Sequence, residues 1–334
     1  MAKRVLIVTN RADLHADLVA EKVAAGGGHP FRLNLDEFPE HFATTLEFAR
    51  GKWEGGLAHI PTGDILPISA IGAVWMRKKA DFSFLSAGLT PQEKAYAEAE
   101  MEEILFGLLY GLDCFWMSHP IAVRGSIWKG EQLLRAARMG FSVPSSIVTN
   151  RRGDVEAFRR SVGDDIVFKS LSSPTLAAEQ VEPEHRIGIS LPTTRITEDH
   201  EEMLDAVAEL PCFFQQYIAK RYELRVTVIG DQVFAAKIHS QDDPRTATDY
   251  RDFSAEILYE AEDLPPEIAR RCLDFVRSYG LTYGALDLIV TPDGEYVFLE
   301  NNPVGQFLFV EQLVPELDMT GALAARLVRG AAGL

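Results

Sequence analysis

The chain opens on "RVLIVTN", an unbroken apolar run closed by polar residues, which predicts a buried strand. In the next stretch, "ADLHADLVAEKVAAGGG", Leu14, Leu18 and Val23 recur at helical spacing on one face. Gly26 to Gly28 follow a helix and lack dinucleotide-fingerprint spacing, so they read as its C-cap. "PFRLNLDEF" is a second strand. Strand, helix, strand at this spacing predicts an α/β layer with a parallel sheet. "AVWMRK" adds a strand, and "PQEKAYAEAEMEEILFGLLYG" a long amphipathic helix opened by Pro91.

The pattern changes at "SHP", Ser118 to Pro120, where a first boundary is placed: residues 1–118, 119–210 and 211–334 form three expected units. "GSIWKGEQLLRAARMG" reads as one helix leading through "FSVPSSIVTN" to a strand, and "IVFKS" is a strand ending on a lysine. "LSSPTLAAEQVEPEH" is polar, rich in turn formers and without period, hence an expected mobile loop. "CFFQQYIAKRYELRVTVIGDQVFAAKIHS" contains a strand, a connection and two strands around Gly230–Asp231. After the helix "PPEIARRCLDFVRSYG", the strands "YGALDLIV" and "EYVFLEN" flank "TPDG", a strong hairpin signal. The expected class is therefore α/β followed by α+β with much antiparallel pairing.

Length and composition fit that picture. At 334 residues, two or three packed domains are expected, and 47% hydrophobic with 25% charged residues supplies a sizeable interior. A net charge of −16 disfavours nucleic acid as a partner. No apolar run is long enough to span a bilayer, and the N-terminus lacks a secretory pattern. Cys114, Cys212 and Cys272 form neither a CxxC pair nor a disulfide framework, so they read as core thiols of a cytoplasmic protein.

Chemistry concentrates late in the chain. Asp287 lies in one strand of the hairpin, Glu300 ends the other, and Asn302 follows two residues on, so two carboxylates and an amide oxygen can converge. Such hard donors suit Mg²⁺ together with nucleotide phosphates. The competing reading is a solvated acidic hairpin with a capped turn. Lys129, Lys169 and Lys220 offer phosphate contacts or are surface lysines; Lys169 ends an apolar strand, where an ammonium needs an anion.

Taken with "QQYI", these features resemble the ATP-grasp superfamily. "FFQQYIAKRYELRVTVIGDQVFAAKIHSQ", "DYR" (Asp249 to Arg251) and "LENNPVGQF" look more closely like the ATP-grasp maturases of ribosomally made peptides, the graspetide or microviridin group. "VLIVTNRADLHADLVAEKV", "FRLNLDEFP" and "VWMRK" resemble that group's pre-ATP-grasp domain, so an ATP-grasp fold behind an N-terminal pre-ATP-grasp α/β domain is implied. Gln216 stands where a glutamate is common, and Tyr250 where a tryptophan is common.

The resemblance implies an ATP- and Mg²⁺-dependent ligase that activates Asp or Glu side chains of a precursor peptide, leader plus core, as acyl phosphates and closes ester or amide rings. It also implies a homodimer. Lys129 and Lys169 would contact phosphates or adenine, Gln215, Gln216, Tyr217 and Ile218 would cradle adenine, and Glu223 would accept from ribose. Asp287, Glu300 and Asn302 would hold the metal. Arg225 and Arg251 are the candidates for gripping the substrate carboxylate or acyl phosphate, because a guanidinium fork matches planar oxyanions; otherwise they are a strand salt bridge and a solvated loop residue. Arg77, in the basic run Arg77–Lys79, would bind an acidic core peptide or simply end a strand in solvent. His239 reads as structural. The alternatives are a ligase adding an amino acid to a small-molecule or protein carboxylate, and a nucleotide-binding protein with a decayed site.

Overall fold

A computed structural model describes residues 2–79, 81–172, 191–252 and 254–334. Most of the loop expected from Leu171 to His185 lies outside them. Among the described residues no helix is long and apolar enough to cross a membrane.

The N-terminal layer runs β1 (Arg4–Thr9), α1 (Leu14–Ala25), β2 (Pro30–Asn34), then β3 (Phe42–Ala49), β4 (Lys52–His59) and β5 (Asp64–Pro67), and finally β6 (Ile71–Met76), α2 (Pro91–Tyr110) and β7 (Phe115–Trp116). Strands β2-β1-β6-β7 form a parallel sheet, as the strand–helix–strand spacing predicts. Helix α2 begins where Pro91 predicts, with Thr90 and Glu93 closing a reciprocal capping box. Strands β3, β4 and β5 form a separate antiparallel sheet that sequence reading left unassigned.

Next come α3 (Pro120–Ser126), α4 (Lys129–Arg138), β8 (Ser146–Thr149), α5 (Arg152–Ser161), β9 (Ile166–Lys169), β10 (Thr194–Arg195) and β11 (Cys212–Gln216). The single helix expected across "GSIWKGEQLLRAARMG" is broken at Ile127–Trp128. The reason is local: the Gln132 side chain donates to the Ser126 carbonyl at 2.6 Å, taking an acceptor that a continuous helix would need for its own ladder. Helix α4 therefore starts at Lys129.

The C-terminal part contains β12 (Tyr222–Ile229), β13 (Gln232–Ile238), β14 (Tyr259–Ala261), α6 (Pro266–Arg277), β15 (Tyr283–Val290), β16 (Tyr296–Asn302), α7 (Leu308–Leu313) and α8 (Met319–Ala331). Its antiparallel sheet has the order β14-β13-β12-β15-β16, and every residue of β12 and β15 is buried. Both expected hairpins form, and Gly230 takes the positive φ of 61° that the first turn requires. One core runs through the seam between the first and last sheets, joining Val5, Val19 and Trp75 to Tyr283, Phe307 and Leu323. Burying such side chains contributes roughly 1.5–3 kcal/mol each, so this seam is a packed interior and not a loose domain contact.

All three cysteines are free, but only Cys272 is buried; Cys114 and Cys212 are partly exposed, which corrects the expectation of three core thiols.

Candidate active site

Sheet register puts the charged residues in a row. Arg225 of β12 stands opposite Asp287 of β15, and Asp287 stands opposite Glu300 of β16. A bulge makes the last pairing possible: Leu288 opposes Phe298, so Leu299 is an extra residue, and Glu300 rather than Leu299 faces Asp287. Asn302, two residues on, opposes Ala285. The side-by-side placement expected from the hairpin is therefore met, through a bulge that alternation alone does not reveal.

Each acid has a cationic partner. Arg225 Nη1 donates to Asp287 Oδ1 at 2.9 Å, and Lys129 Nζ lies 3.1 Å from Glu300 Oε2 while donating to the Ser170 carbonyl at 2.9 Å. Burial pushes the Asp287 carboxyl up, more than the facing Arg225 pulls it down. Burial opposes the Glu300 charge too, but Lys129, Lys169 and Arg251 together bring its carboxyl below the ordinary range.

A cleft of about 830 Å³, counting its open mouth, adjoins this row; it is lined by Lys129, Lys169, Gln215 to Ile218, Lys220, Glu223, Arg251, Asp287 and Glu300 among others. Lys169 Nζ donates to Gln215 Oε1 at 2.9 Å, and Gln215 Nε2 donates to Ser146 Oγ at 3.1 Å. Among the described residues no carboxylate lies within ion-pair distance of Lys169, and burial lowers the pKa of its ammonium. A half-buried cation whose hydrogen-bond partner is neutral gains from an incoming anion. Lys220 differs. It donates to Glu223 at 2.7 Å and to the Thr248 carbonyl at 3.0 Å, so it is engaged within the protein, contrary to the expectation of a phosphate-facing lysine.

Arg251 is gripped by Asp249 through two bonds of 2.7 and 2.6 Å, with its side chain 42% exposed, so it is a braced guanidinium at the cleft mouth and not a freely solvated loop residue. Arg225 is the strand salt bridge that sequence reading held as its alternative, yet it sits in the row and also donates to the Gln306 carbonyl at 3.2 Å. Asn302 is exposed, and its Oδ1 accepts from the Val304 amide at 3.1 Å. Arg77 is only 8% exposed and stands outside this cleft, which corrects its reading as a solvated strand end. His239 meets Glu260 at 3.0 Å on the neighbouring strand and stays structural.

Several supporting residues escaped sequence reading. Gln132, one turn after Lys129 on the buried side of α4, exchanges bonds of 2.8 Å with both backbone groups of Asn301, and so fixes the strand between Glu300 and Asn302. A glutamine at helical spacing with Ala136 was its only signal. Tyr250 is buried and donates to Asp287 at 3.3 Å. Gly305 is required sterically, because a Cβ there would come within 2.7 Å of Arg225 Nη2.

As a donor set, Asp287, Glu300 and Asn302 offer two carboxylates and an amide oxygen, which fits Mg²⁺. Among the described residues no group of three or more acidic, histidine or cysteine side chains gathers as a self-sufficient metal cage. A cation here would complete its shell with water and ligand oxygens, the usual habit of Mg²⁺.

Known proteins match both the N-terminal layer and the whole chain. Residues 4–124 match the MvdD pre-ATP grasp domain. Over 98% of the chain and 99% of the other, the structure is similar to the macrocyclase MdnC of Microcystis aeruginosa MRC bound with precursor peptide MdnA, at 29% identity and a TM-score of 0.83. It is also similar to a Chryseobacterium gregarium RiPP-associated ATP-grasp ligase in complex with ADP and a leader and core peptide, at 29% identity, a TM-score of 0.87, and coverage of 98% and 97%. The macrocyclase MdnB of the same Microcystis strain matches at 28% identity and a TM-score of 0.76, covering 98% of this chain and all of its own. No curated protein matches significantly.

Proposed function

We infer that this chain, an ATP-grasp ligase with an MvdD-type pre-ATP-grasp domain, closes macrocycles in a ribosomally made precursor peptide at the expense of ATP. The observation that carries this reading is the charged row Arg225–Asp287–Glu300–Lys129 beside the half-buried ammonium of Lys169, which has no carboxylate within ion-pair distance among the described residues.

ATP would lie in the cleft with adenine against Gln215 to Ile218, ribose near Glu223, and phosphates against Lys129 and Lys169. Mg²⁺ would be held by Asp287, Glu300 and Asn302, and would offset charge between the nucleotide phosphates and an approaching carboxylate. A substrate carboxylate oxygen forms a bond to the γ-phosphorus as the bond to the ADP oxygen breaks. A hydroxyl or amine then attacks the acyl carbon, phosphate leaves, and each new ester or amide costs the peptide one water. Arg251, braced by Asp249, is placed to grip the substrate carboxylate with a planar fork. Arg225 holds Asp287 in position and carries positive charge next to the transfer site. We place the reaction in the cytoplasm and in a homodimer.

The test is incubation with ATP, Mg²⁺ and an acidic precursor peptide encoded beside the gene, read by mass spectrometry. The expected result is ADP release matched to successive water losses; ADP without dehydrated peptide would count against macrocyclisation. Asn302→Ala, at an exposed position, should lower turnover by about 10²–10³-fold with an unchanged melting temperature. Full activity in that variant would remove the metal assignment.

A further inference from the structure

Ladder register gathers a cluster of polar side chains behind the adenine end of the cleft. Arg195 of β10 stands opposite Val167 of β9, and Val167 opposite Gln215 of β11, so Arg195 shares the sheet face on which Val167 and Gln215 line the cleft. Asp165 and Tyr217 carry that face past the strand ends. The Tyr217 amide donates to the Asp165 carbonyl at 3.0 Å, and Arg195 forks onto both oxygens of the Asp165 carboxylate, Nε donating to Oδ1 at 2.6 Å. Its guanidinium lies 4.5 Å from the centre of the Tyr217 ring.

We propose that Arg195 is a positioning residue for the nucleotide: clamped by Asp165 and stacked on Tyr217, it holds residues 216–218 in the conformation that receives adenine. It sets affinity and base preference, not the rate of phosphoryl transfer. This role rests on the ATP site described above and adds to it a residue outside the cleft lining.

The backbone at the exit of β11 is tied through two amides, Gln216 to the Ser145 carbonyl at 2.8 Å and Tyr217 to Asp165. Those bonds fix the chain but not the Tyr217 ring. A guanidinium within about 6 Å of a ring centroid is attracted to the ring face, and the fork to Asp165 keeps the guanidinium from turning away. Tyr217 is half-buried and lines the cleft, so a turn of its ring changes the wall that a flat base meets. Stability alone does not account for the cluster. The Arg195 and Asp165 side chains are 49% and 32% exposed, and a pair so open to solvent contributes little to folding. What a rigid fork supplies here is orientation, which strengthens binding by lowering the cost of ordering the hinge. A misplaced hinge also leaves groups at the base edge unpaired, so discrimination between adenine and guanine falls together with affinity.

The test measures competition of ADP and of GDP, each with Mg²⁺, against a ribose-labelled fluorescent ADP on the full chain. ATP turnover with the acidic precursor peptide encoded beside the gene is followed in parallel. Arg195→Gln should weaken ADP binding by about tenfold and narrow the preference for ADP over GDP by about threefold. The KM for ATP should rise in step while kcat stays unchanged. Arg195→Lys, which keeps a charge over the ring and loses the fork, should fall between wild type and Arg195→Gln. Arg152→Gln removes an arginine of α5 that is tied to Glu156 at 2.8 Å and Asp205 at 3.1 Å outside the cleft, and should change none of these quantities. Unchanged ADP affinity or base preference in Arg195→Gln, a fall in kcat at constant KM, or an equal effect of Arg152→Gln overturns the proposal. A wild type that binds neither nucleotide overturns the ATP-site reading itself, and the role of Arg195 with it.

Discussion

The segment Asn302–Gln306 has a buried arginine on each side, and the two are held very differently. On the cleft side, Arg225 meets Asp287 at 2.9 Å and the Gln306 carbonyl at 3.2 Å. On the seam side, Arg77 has its nearest carboxylate among the described residues at 3.9 Å, shares it with Thr9, His15 and Lys78, and reaches the Val304 carbonyl only at 3.5 Å. Both are more than nine-tenths buried, so exposure does not separate them. What differs is the element that places each partner. Arg225 and Asp287 are opposite residues of adjacent strands, where ladder register dictates a short contact. Arg77 and Asp13 come from a strand end and a helix N-cap, where no ladder sets the distance. A cation placed by ladder register meets its carboxylate at hydrogen-bond distance; one placed at a seam keeps donors unmet.

The largest expected effect tests the tighter side. Arg225→Met leaves Asp287 buried without its cation, which should cost about 3–5 kcal/mol in urea unfolding. Arg225→Met/Asp287→Leu should recover most of that loss while remaining inactive. If the single variant unfolds like wild type, the pair is not what holds this rung, and the contrast with the seam disappears.

The same contrast explains what was legible beforehand. The Asp287–Glu300 hairpin was readable because "TPDG" separates two apolar runs, and cross-strand neighbours follow from a turn and an alternation. Which cation meets which acid was not. The bulge at Leu299 adds a residue without changing composition, and the Lys129–Glu300 contact depends on a helix start that a Gln132–Ser126 bond decides. Strands β3 and β4 went unassigned because they bury so little: every residue from Thr44 to Gly55 is exposed or half-exposed, so no buried apolar run marks either strand, and the weak alternation of β3 was passed over. Helix α8 was missed because "MTGALAARLVRG" says nothing about where it docks, and it covers the first sheet more than three hundred residues after β1 begins. The ATP-grasp resemblance placed the cleft residues together, but it could not show that Lys220 is tied to Glu223 while, among the described residues, no acid pairs with Lys169.

The middle effect belongs to the seam. Burial alone would raise the Asp13 carboxyl, but bonds from His15 and Thr9 and the charges of Arg77 and Lys78 bring it from 3.8 down to about 2. A folded-state value below the unfolded one means that the stabilisation is complete above the unfolded pKa and is lost as pH falls from about 4 towards 2. Asp13→Asn should therefore cost about 2 kcal/mol at neutral pH and flatten the acid limb of the stability curve in that window. The looser geometry puts this below the Arg225→Met cost. Equal costs would mean that the 3.9 Å pair is held as firmly as the 2.9 Å one.

The smallest effect probes what lies between the arginines. Tyr283 donates to the Gly305 carbonyl at 2.7 Å, so the carbonyls of residues 304, 305 and 306 are received in turn by Arg77, Tyr283 and Arg225. Tyr283 is neutral and buried, and it makes the shortest of the three bonds. Tyr283→Phe removes one uncharged hydrogen bond without altering either ion pair, so the expected cost is about 1–2 kcal/mol by urea unfolding. Its functional signature should be a raised Mg²⁺ requirement with little change in the maximal rate, because the segment following Asn302 loses its central tether while every reacting group stays in place. A loss as large as that of Arg225→Met would show that the row of received carbonyls, and not the charge pairing at its two ends, fixes the segment.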